Sequence, residues 1–565
     1  MRIRLVAVVF LAACTGQINE RPPSGPGSSA PGTDGTMPVK PGEGGGMAPS
    51  GMTEPERPAG PPPLRCDQPF VGAPALLRLR AQELSNSLRD IFPQAKDASL
   101  LDIADPLDRE TGFIVPTQLL VGEGSVEKLV GAAQLIADAM VTPDTLNAVL
   151  PCAAAAKDAA CVGKLIQRYG RRLFRRPLTS EEQQRYLQLH ETAAAKGDFA
   201  LGIKWVLVAL ITSPNTLYRR QVGKPMGKGV SQLTQWELAS ELAYTFTGST
   251  PSDALLSKAE KGSLSSPEAL IAEARALLDT PAGRRTISEY FERWLSYDLV
   301  SSNQRDNIPA FATLRGKLAE ETRVFLEKVV HTDKGGIRDL LTAPYTMVDG
   351  ALAKYYGMTA AGDGFVSVAR PKGQGIGLLA QGSLLAERSQ TFNSSPTRRG
   401  ILIRKKLLCL DIPEVPAVVP DLPSVGKGWK TTRQRFETAH AQGACASCHR
   451  LFDPLGFPFE HFDEGGRFRA NENGEPIDAS GYALDADGNT LFTVKGGQEE
   501  LATLLAGRPE VTACVAETLA KYLTSQSQSC VAGESRNDFV DGKIGLLDYA
   551  ARLAGAPHFS QRRGP

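Results

Sequence analysis

From Cys66 onward, apolar side chains recur mostly at helical spacing, not in strict alternation. In "ALLRLRAQELSNSLRDIF", Leu76, Leu77, Leu84, Leu88 and Ile91 are spaced for one apolar face, which predicts a helix through the whole stretch. "SVEKLVGAAQLIADAMV" continues in that style. Thr179 followed by Glu182, and Thr234 followed by Glu237, are capping boxes: the hydroxyl takes one orphan N–H and the carboxylate reaches back for another. Ser266 before Pro267 reads as an N-cap with proline at the first helical position. The apolar run from Phe199 to Thr212 predicts a buried helix. "ISEYFERWLSYDL" and "LRGKLAEETRVFLEKVV" are amphipathic, and Tyr290, Phe291 and Trp294 are expected in a core. Only near the end does the pattern change. "GEPIDASGYALDADGNTLFTVKGG" sets turn residues between short β-like runs and predicts a hairpin. Its "DADGN" reads as turn chemistry, since Gly488 is misplaced for a calcium loop and no spaced glutamate completes one. "EELATLLAGRPEVTACVAETLAKYLTS" returns to helix. The fold class expected is mainly α.

Before Cys66 the pattern vanishes. Residues 14–65 are Pro, Gly and Ser with few bulky apolar side chains, too little to build a core. As a flexible coil of about 50 residues, such a tether has ends roughly 40 Å apart. The first residues, "MRIRLVAVVFLAAC", place Arg2 and Arg4 before a short apolar run that ends in Leu11-Ala12-Ala13-Cys14. This resembles the lipobox of bacterial lipoprotein signal peptides. The resemblance implies cleavage after residue 13, lipid on Cys14, and, with Thr15 following, an outer-membrane address. An ordinary signal peptide is the alternative. No later segment has the long uncharged apolar run of a membrane helix.

Length and charge narrow the picture further. A chain of 565 residues is too long for one core, and roughly three or four domains are expected. A formal net charge of +1 offers no electrostatic case for nucleic acid. Arg171, Arg172, Arg175 and Arg176 are accordingly read as a solvated face with local salt bridges. "GQGIGLLAQG" follows no convincing strand and opens no βαβ unit, so it is a weak dinucleotide signal.

The candidate chemistry lies in "CASCHRLFDPLGFPFEHFDEGGRFR", residues 445–469. Cys445, Cys448 and His449 make a C-x-x-C-H pattern. Two sulfurs one helical turn apart can clamp the two vinyl groups of a haem, and the next residue can place an imidazole nitrogen on the iron. The polar lead-in "TTRQRFETAHAQGA" suits a helix delivering the motif. Covalent attachment happens outside the cytoplasm, where the export signal would take the chain. Two other readings stay open: a Cys445–Cys448 disulfide, or zinc on both cysteines with two of His440, His449 and Cys409. The usual downstream methionine is missing, since the last methionine is Met358. His440, His461, His558, Met347 and Met358 are the candidates for a second iron ligand, and an open position is the remaining possibility. With Cys14 assigned to lipid and Cys445 with Cys448 to haem, six cysteines remain. Proximity pairs Cys152 with Cys161 and Cys514 with Cys530, leaving Cys66 for Cys409.

Several motifs, in order, resemble a bacterial multi-domain family of planctomycete-type cytochrome c-associated domains of unknown function. They are "LLRLRAQELSNSLRDIF", then "FRRPLTSEE" with "LVALITSPNTLYRR", then "LTQWELASELAYTFTGSTPSDALL" with "YTMVDGALAKYYGM". "SSPTRRGILIRKKLLC" follows with the C-x-x-C-H stretch, and "IDASGYALDADGNTLF" through "KYLTSQ" closes the series. Asp453, Pro454, Gly456, Phe457, Glu460, Phe462, Asp463, Gly466 and Arg467 stand in the family's places, as does His440. The implied organisation is a signal peptide (1–13), a tether (14–65), helical modules over 66–150, 151–225 and 226–362, a cytochrome c-like haem module over 363–475, and a hairpin-plus-helix module over 476–565. The family's Gly-Arg after the closing tyrosine is missing in "KYLTSQSQS". Arg467 and Arg469 could pair with haem propionates, or with Asp463 and Glu464. The implied role is a haem-c, cell-envelope lipoprotein that passes electrons to an unknown partner or acts on a small substrate. A helical surface scaffold or binding protein without haem, with a Cys445–Cys448 disulfide or a zinc site, is the alternative. No G-x-S-x-G or H-E-x-x-H motif supports a hydrolase.

Overall fold

Both capping boxes form in the computed structural model. Thr179 Oγ1 accepts from the Glu182 N–H at 3.2 Å while the Glu182 carboxylate accepts from the Thr179 N–H at 2.8 Å. Thr234 and Glu237 repeat the arrangement at 3.2 and 2.8 Å. Ser266 accepts from the Ala269 N–H, with Pro267 opening the helix. The structure describes residues 71–95, 101, 103–107, 113–114, 116, 119, 121–360, 362–413, 430–440, 443–524 and 533–564. Cys14, Cys66 and Cys530, and with them the signal peptide and tether, lie outside the described residues. The described chain is mainly helical, with small antiparallel strand pairs. No described helix is long and apolar enough to cross a membrane.

Two large apolar clusters organise it. The first joins Leu84, Leu88 and Phe92 with Ile136, Leu165, Ile166, Val206, Leu207 and Leu210, so the predicted apolar helix, Phe199–Ile211, is buried at its centre. The second draws on residues from Phe113 to Phe559 and includes Tyr290, Phe291 and Trp294 as expected. Leu402, Ile403, Leu455, Phe459 and Phe462 belong to that same cluster. The C-x-x-C-H region is therefore backed by the main core.

The first expected helix needs correction. Ala75–Arg78 is a strand, antiparallel to Tyr218–Gln221, and the helix runs only from Ala81 to Ile91. Leu77 is buried while Leu76 is 65 % exposed, which is strand alternation. Pairing with a segment some 140 residues away overrides the local spacing, a competition that sequence periodicity cannot register. The arginine run behaves as expected at three positions: Arg171, Arg172 and Arg176 pair with Glu260, Asp253 and Glu182. Arg175 instead is buried and donates to the carbonyls of Asn215, Thr216 and Tyr218. The C-terminal hairpin forms from Gly481–Leu484 and Thr490–Val494. Asp485 accepts from the N–H groups of Asp487 and Asn489, so the "DADGN" segment is turn chemistry.

Cys152 and Cys161 are joined as expected. The other pairings are corrected: Cys409 bonds Cys514, across a separation of 105 residues, and so pairs with neither Cys66 nor Cys530. Helix Pro509–Thr524, which carries Cys514, packs on the helical turn Ile403–Leu407, and Cys409 lies just beyond that turn. This also removes Cys409 from any zinc set.

The last described strand closes on the first described residues. Gln561–Arg563 pairs with Val230–Gln232, and the Arg563 N–H donates to the Gly72 carbonyl at 2.7 Å. His558 is buried beside Arg562, and its Nε2 has no hydrogen-bond partner. Burial, then the Arg562 charge, push its pKa from 6.5 down to about 4. Between those values the unfolded chain takes up a proton that the native state refuses. Stability should therefore fall by roughly 3 kcal/mol as pH drops through that window. Urea unfolding of His558→Phe should show a correspondingly flatter acid limb; an identical limb in both proteins would disprove the assignment.

Candidate functional site

Three short helices and a buried wall build the site. Helix Thr432–Ala439 starts in a capping box between Thr431 and Gln434, buries Phe436, and ends at His440. Helix Gly443–His449 carries Cys445, Cys448 and His449 in one piece. Helix Asp453–Gly456 follows, with Pro454 in its first turn. Both cysteines of the motif are half-buried free thiols, in contrast to the two bonded pairs elsewhere.

Asp453 ties these pieces together. Its Oδ2 lies 2.6 Å from His440 Nδ1 and 3.0 Å from His449 Nδ1. Its Oδ1 accepts from Thr397 Oγ1 at 2.6 Å. Burial pushes this carboxyl's pKa up, but the hydrogen bonds from His440, His449 and Thr397 outweigh it and leave the group below its ordinary range. An ionised carboxylate only accepts, so both imidazoles donate through Nδ1–H, and a neutral ring in that tautomer has its lone pair on Nε2. The two rings stack with centroids 3.4 Å apart and planes at 29°. Phe436 and Phe452 meet their edges.

His440, His449 and Asp453 are close enough to be tested as ligands of one cation, with ligand atoms within 4.8 Å of one another. Bonds of about 2.0 Å in a tetrahedral site put neighbouring ligand atoms roughly 3.3 Å apart. Separations of 2.6 and 3.0 Å match hydrogen bonds better. Neither cysteine belongs to that group.

Beside Cys448 lies a small apolar shelf. Leu451, Phe452 and Leu484 are buried there, with Ile401, Ile412 and Cys448 packed against them. Two free thiols on the helix that ends in His449, one of them packed on this apolar cluster, are the donor set that haem c needs. The residues present thus fit haem c held by Cys445, Cys448 and His449.

Behind the site, helix Pro396–Leu402 and the Asp453–Gly456 turn are in backbone contact. A Cβ on Gly400 would stand 1.7 Å from the Phe452 carbonyl oxygen, and one on Gly456 would stand 1.9 Å from that of Pro396. Both partners are backbone and cannot step aside. Gly400→Ala should cost about 3 kcal/mol or more in chemical unfolding, since the two segments would have to separate; a loss under about 0.5 kcal/mol would mean that the contact is not kept. Arg399 fills the gap beneath, donating to the carbonyls of Phe459, Phe462 and Asp463, with Glu460 at 3.7 Å. Burial opposes charge on both, pushing Glu460 up and Arg399 down to about 10.

The other sequence candidates are placed apart from the imidazole pair. Arg467 pairs with Asp463 at 2.8 Å and lies over the Tyr355 ring, while Arg469 pairs with Glu460 and Glu472. Arg467 thus meets Asp463, one of the carboxylates expected, whereas Arg469 meets Glu460 and Glu472 in place of Asp463 or Glu464. His461 donates its Nδ1–H to the Arg469 carbonyl at 3.0 Å and stacks on Phe468. His558 sits by Arg562. Met347 is in the main core, and Met358 packs on a separate cluster around Leu318 and Leu352. Asp453 and Thr397 had no role assigned from the sequence. The signal was present for Asp453, a carboxylate four residues after His449; for Thr397, 56 residues from Asp453, there was none.

Three family models match the chain, each described as a protein of unknown function. PSD5 (DUF1595) matches residues 161–220, PSD4 (DUF1592) residues 233–358, and PSCyt3 (DUF1588) residues 376–472. The last spans Thr397, Arg399, His440, both free cysteines, His449 and Asp453. No curated protein and no solved structure matches the chain.

Proposed function

We propose, from the premise that the chain belongs to the bacterial multi-domain family of planctomycete-type cytochrome c-associated domains of unknown function, that it is a cell-envelope lipoprotein carrying one covalent haem c for electron transfer or redox chemistry. The observation that carries this reading is the pair of free, half-buried thiols of Cys445 and Cys448 on one helix with His449, whose Nδ1–H is held by Asp453. Each sulfur would add its S–H across one vinyl group, a step that needs no oxidant. His449 would offer Nε2 to the iron, since its other nitrogen is spoken for. The shelf of Ile401, Ile412, Leu451, Phe452 and Leu484 would exclude water from one side of the macrocycle. Bound there, the iron would supply one-electron chemistry. Lipid on Cys14 and the tether over residues 14–65 would hold this body at a membrane, with outer-membrane placement favoured by Thr15.

The reading is tested on protein exported in a host with a cytochrome c maturation system. A c-type absorption spectrum that survives acid-acetone extraction is expected. Colourless protein would end this reading, and thiol mapping that joins Cys445 to Cys448 would leave the scaffold reading in its place.

A further inference from the structure

We infer that Asp453 is the positioning residue of the iron-binding imidazole, and that His440 is a brace on the same carboxylate, not a second ligand of the iron. The inference rests on the haem reading above. Its starting point is that one buried carboxylate receives three donors from three different segments: His449 from the motif helix, His440 from the helix before it, and Thr397 from the wall. The wall cannot yield, because Gly400 and the Phe452 carbonyl are already in backbone contact one residue before Asp453. The carboxylate is thereby fixed, and it fixes the azimuth of the His449 ring about its own bond.

Geometry separates the two roles of the histidines. Two imidazoles that ligate one iron from opposite faces point at each other end to end, with nitrogens on the order of 4 Å apart for bonds of about 2.0 Å. His440 and His449 instead lie face to face, 3.4 Å between centroids, with both Nδ1 atoms on the same carboxylate oxygen. Their Nε2 atoms then face the same side. His440 can stiffen the His449 ring and shield Asp453 from water, but from this position it cannot reach across a porphyrin.

A consequence follows for the redox centre. A metal-bound imidazole whose other N–H is held by a carboxylate is more electron-rich, which favours the higher oxidation state of the metal. The chain would thus lower the reduction potential through a residue that never touches the iron.

The test uses the exported holoprotein and three variants. Asp453→Asn keeps an acceptor in place and removes the charge. It should retain covalent haem, lower the iron–imidazole stretching frequency, and move the midpoint potential upward. A tenfold change in the oxidation equilibrium is about 59 mV for a one-electron couple, and a shift of at least that size is expected. Thr397→Val removes one donor from Asp453, leaves the carboxylate a stronger acceptor for His449, and should move the same quantities in the opposite direction by less. It decides the matter if Asp453→Asn fails to mature. His440→Phe keeps an aromatic face against His449 and should leave the axial-ligand signature of the spectrum as in wild type. Unchanged potential and stretching frequency in the Asp453 and Thr397 variants would overturn the positioning role, and a changed axial-ligand signature in His440→Phe would overturn the brace. Either result on haem-loaded protein leaves the haem reading intact; wild-type protein without haem would bring down both.

Discussion

Exported protein with Cys445→Ser and Cys448→Ser together should retain no haem after acid-acetone extraction, while wild type retains it in full. The effect is all or none because extraction strips every contact except a covalent one. Both sulfurs are free thiols, so neither is committed to a disulfide that the substitutions would break. The fold should survive the change. The two side chains are only half-buried, and their helix lies outside the two large clusters. The small cluster around Leu451 and Phe452 packs against Cys448, and exchanging one partly buried thiol for a hydroxyl there should cost no more than about 1–2 kcal/mol. Circular dichroism of the variant should therefore remain helical. Full haem retention by the double variant would show that attachment does not run through these sulfurs.

Arg399→Met should be the most destabilising single substitution in the region. The guanidinium is 2 % exposed and satisfies the carbonyls of Phe459, Phe462 and Asp463 together with Ser389 Oγ. Removing it leaves the Phe462 carbonyl and Ser389 Oγ without that donor, while the Phe459 and Asp463 carbonyls keep the N–H groups of Phe462 and Gly466. It also leaves Glu460, 1 % exposed, with Ser394 and the Arg469 guanidinium at 3.3 Å as its partners. Breaking a buried pair from one side costs about 3–5 kcal/mol, and with Arg469 still beside Glu460 the lower end of that range is expected. The loss should appear in chemical unfolding, and in holoprotein as a loosened site, since Arg399 sits between Thr397 and Gly400 on the helix that holds Asp453. Glu460→Gln should cost less, as it keeps an acceptor for Ser394 and removes the group whose charge burial opposes. Equal costs for the two substitutions would mean that the charge pair, and not the carbonyl cluster, is what Arg399 contributes.

What could be read from the sequence was local. The capping boxes at Thr179 and Thr234 span three residues, and spacing alone identifies them. The helical delivery of Cys445, Cys448 and His449 and the hairpin around Asp485 are also short-range patterns. The readings that failed depend on distant partners. Ala75–Arg78 becomes a strand because Tyr218–Gln221 arrives beside it. Cys409 finds Cys514 because helix Pro509–Thr524 docks on the turn before Cys409. The series Asp453, Pro454, Gly456, Glu460 and Arg467 was legible as a family signature, but its physical meaning lay in a second motif. "SSPTRRG" supplies Thr397 for Asp453, Arg399 for Glu460, and Gly400 for the close approach at Phe452. Two motifs about 55 residues apart prove to be two halves of one packing arrangement, and no periodicity within either reveals it.

The intact mass of export-matured protein tests the central claim most directly. The account predicts the mass of the chain from Cys14 onward with its lipid, plus one haem, and no free thiol at Cys445 or Cys448. A mass equal to acylated polypeptide alone, from cells that load haem onto other exported proteins, would contradict it.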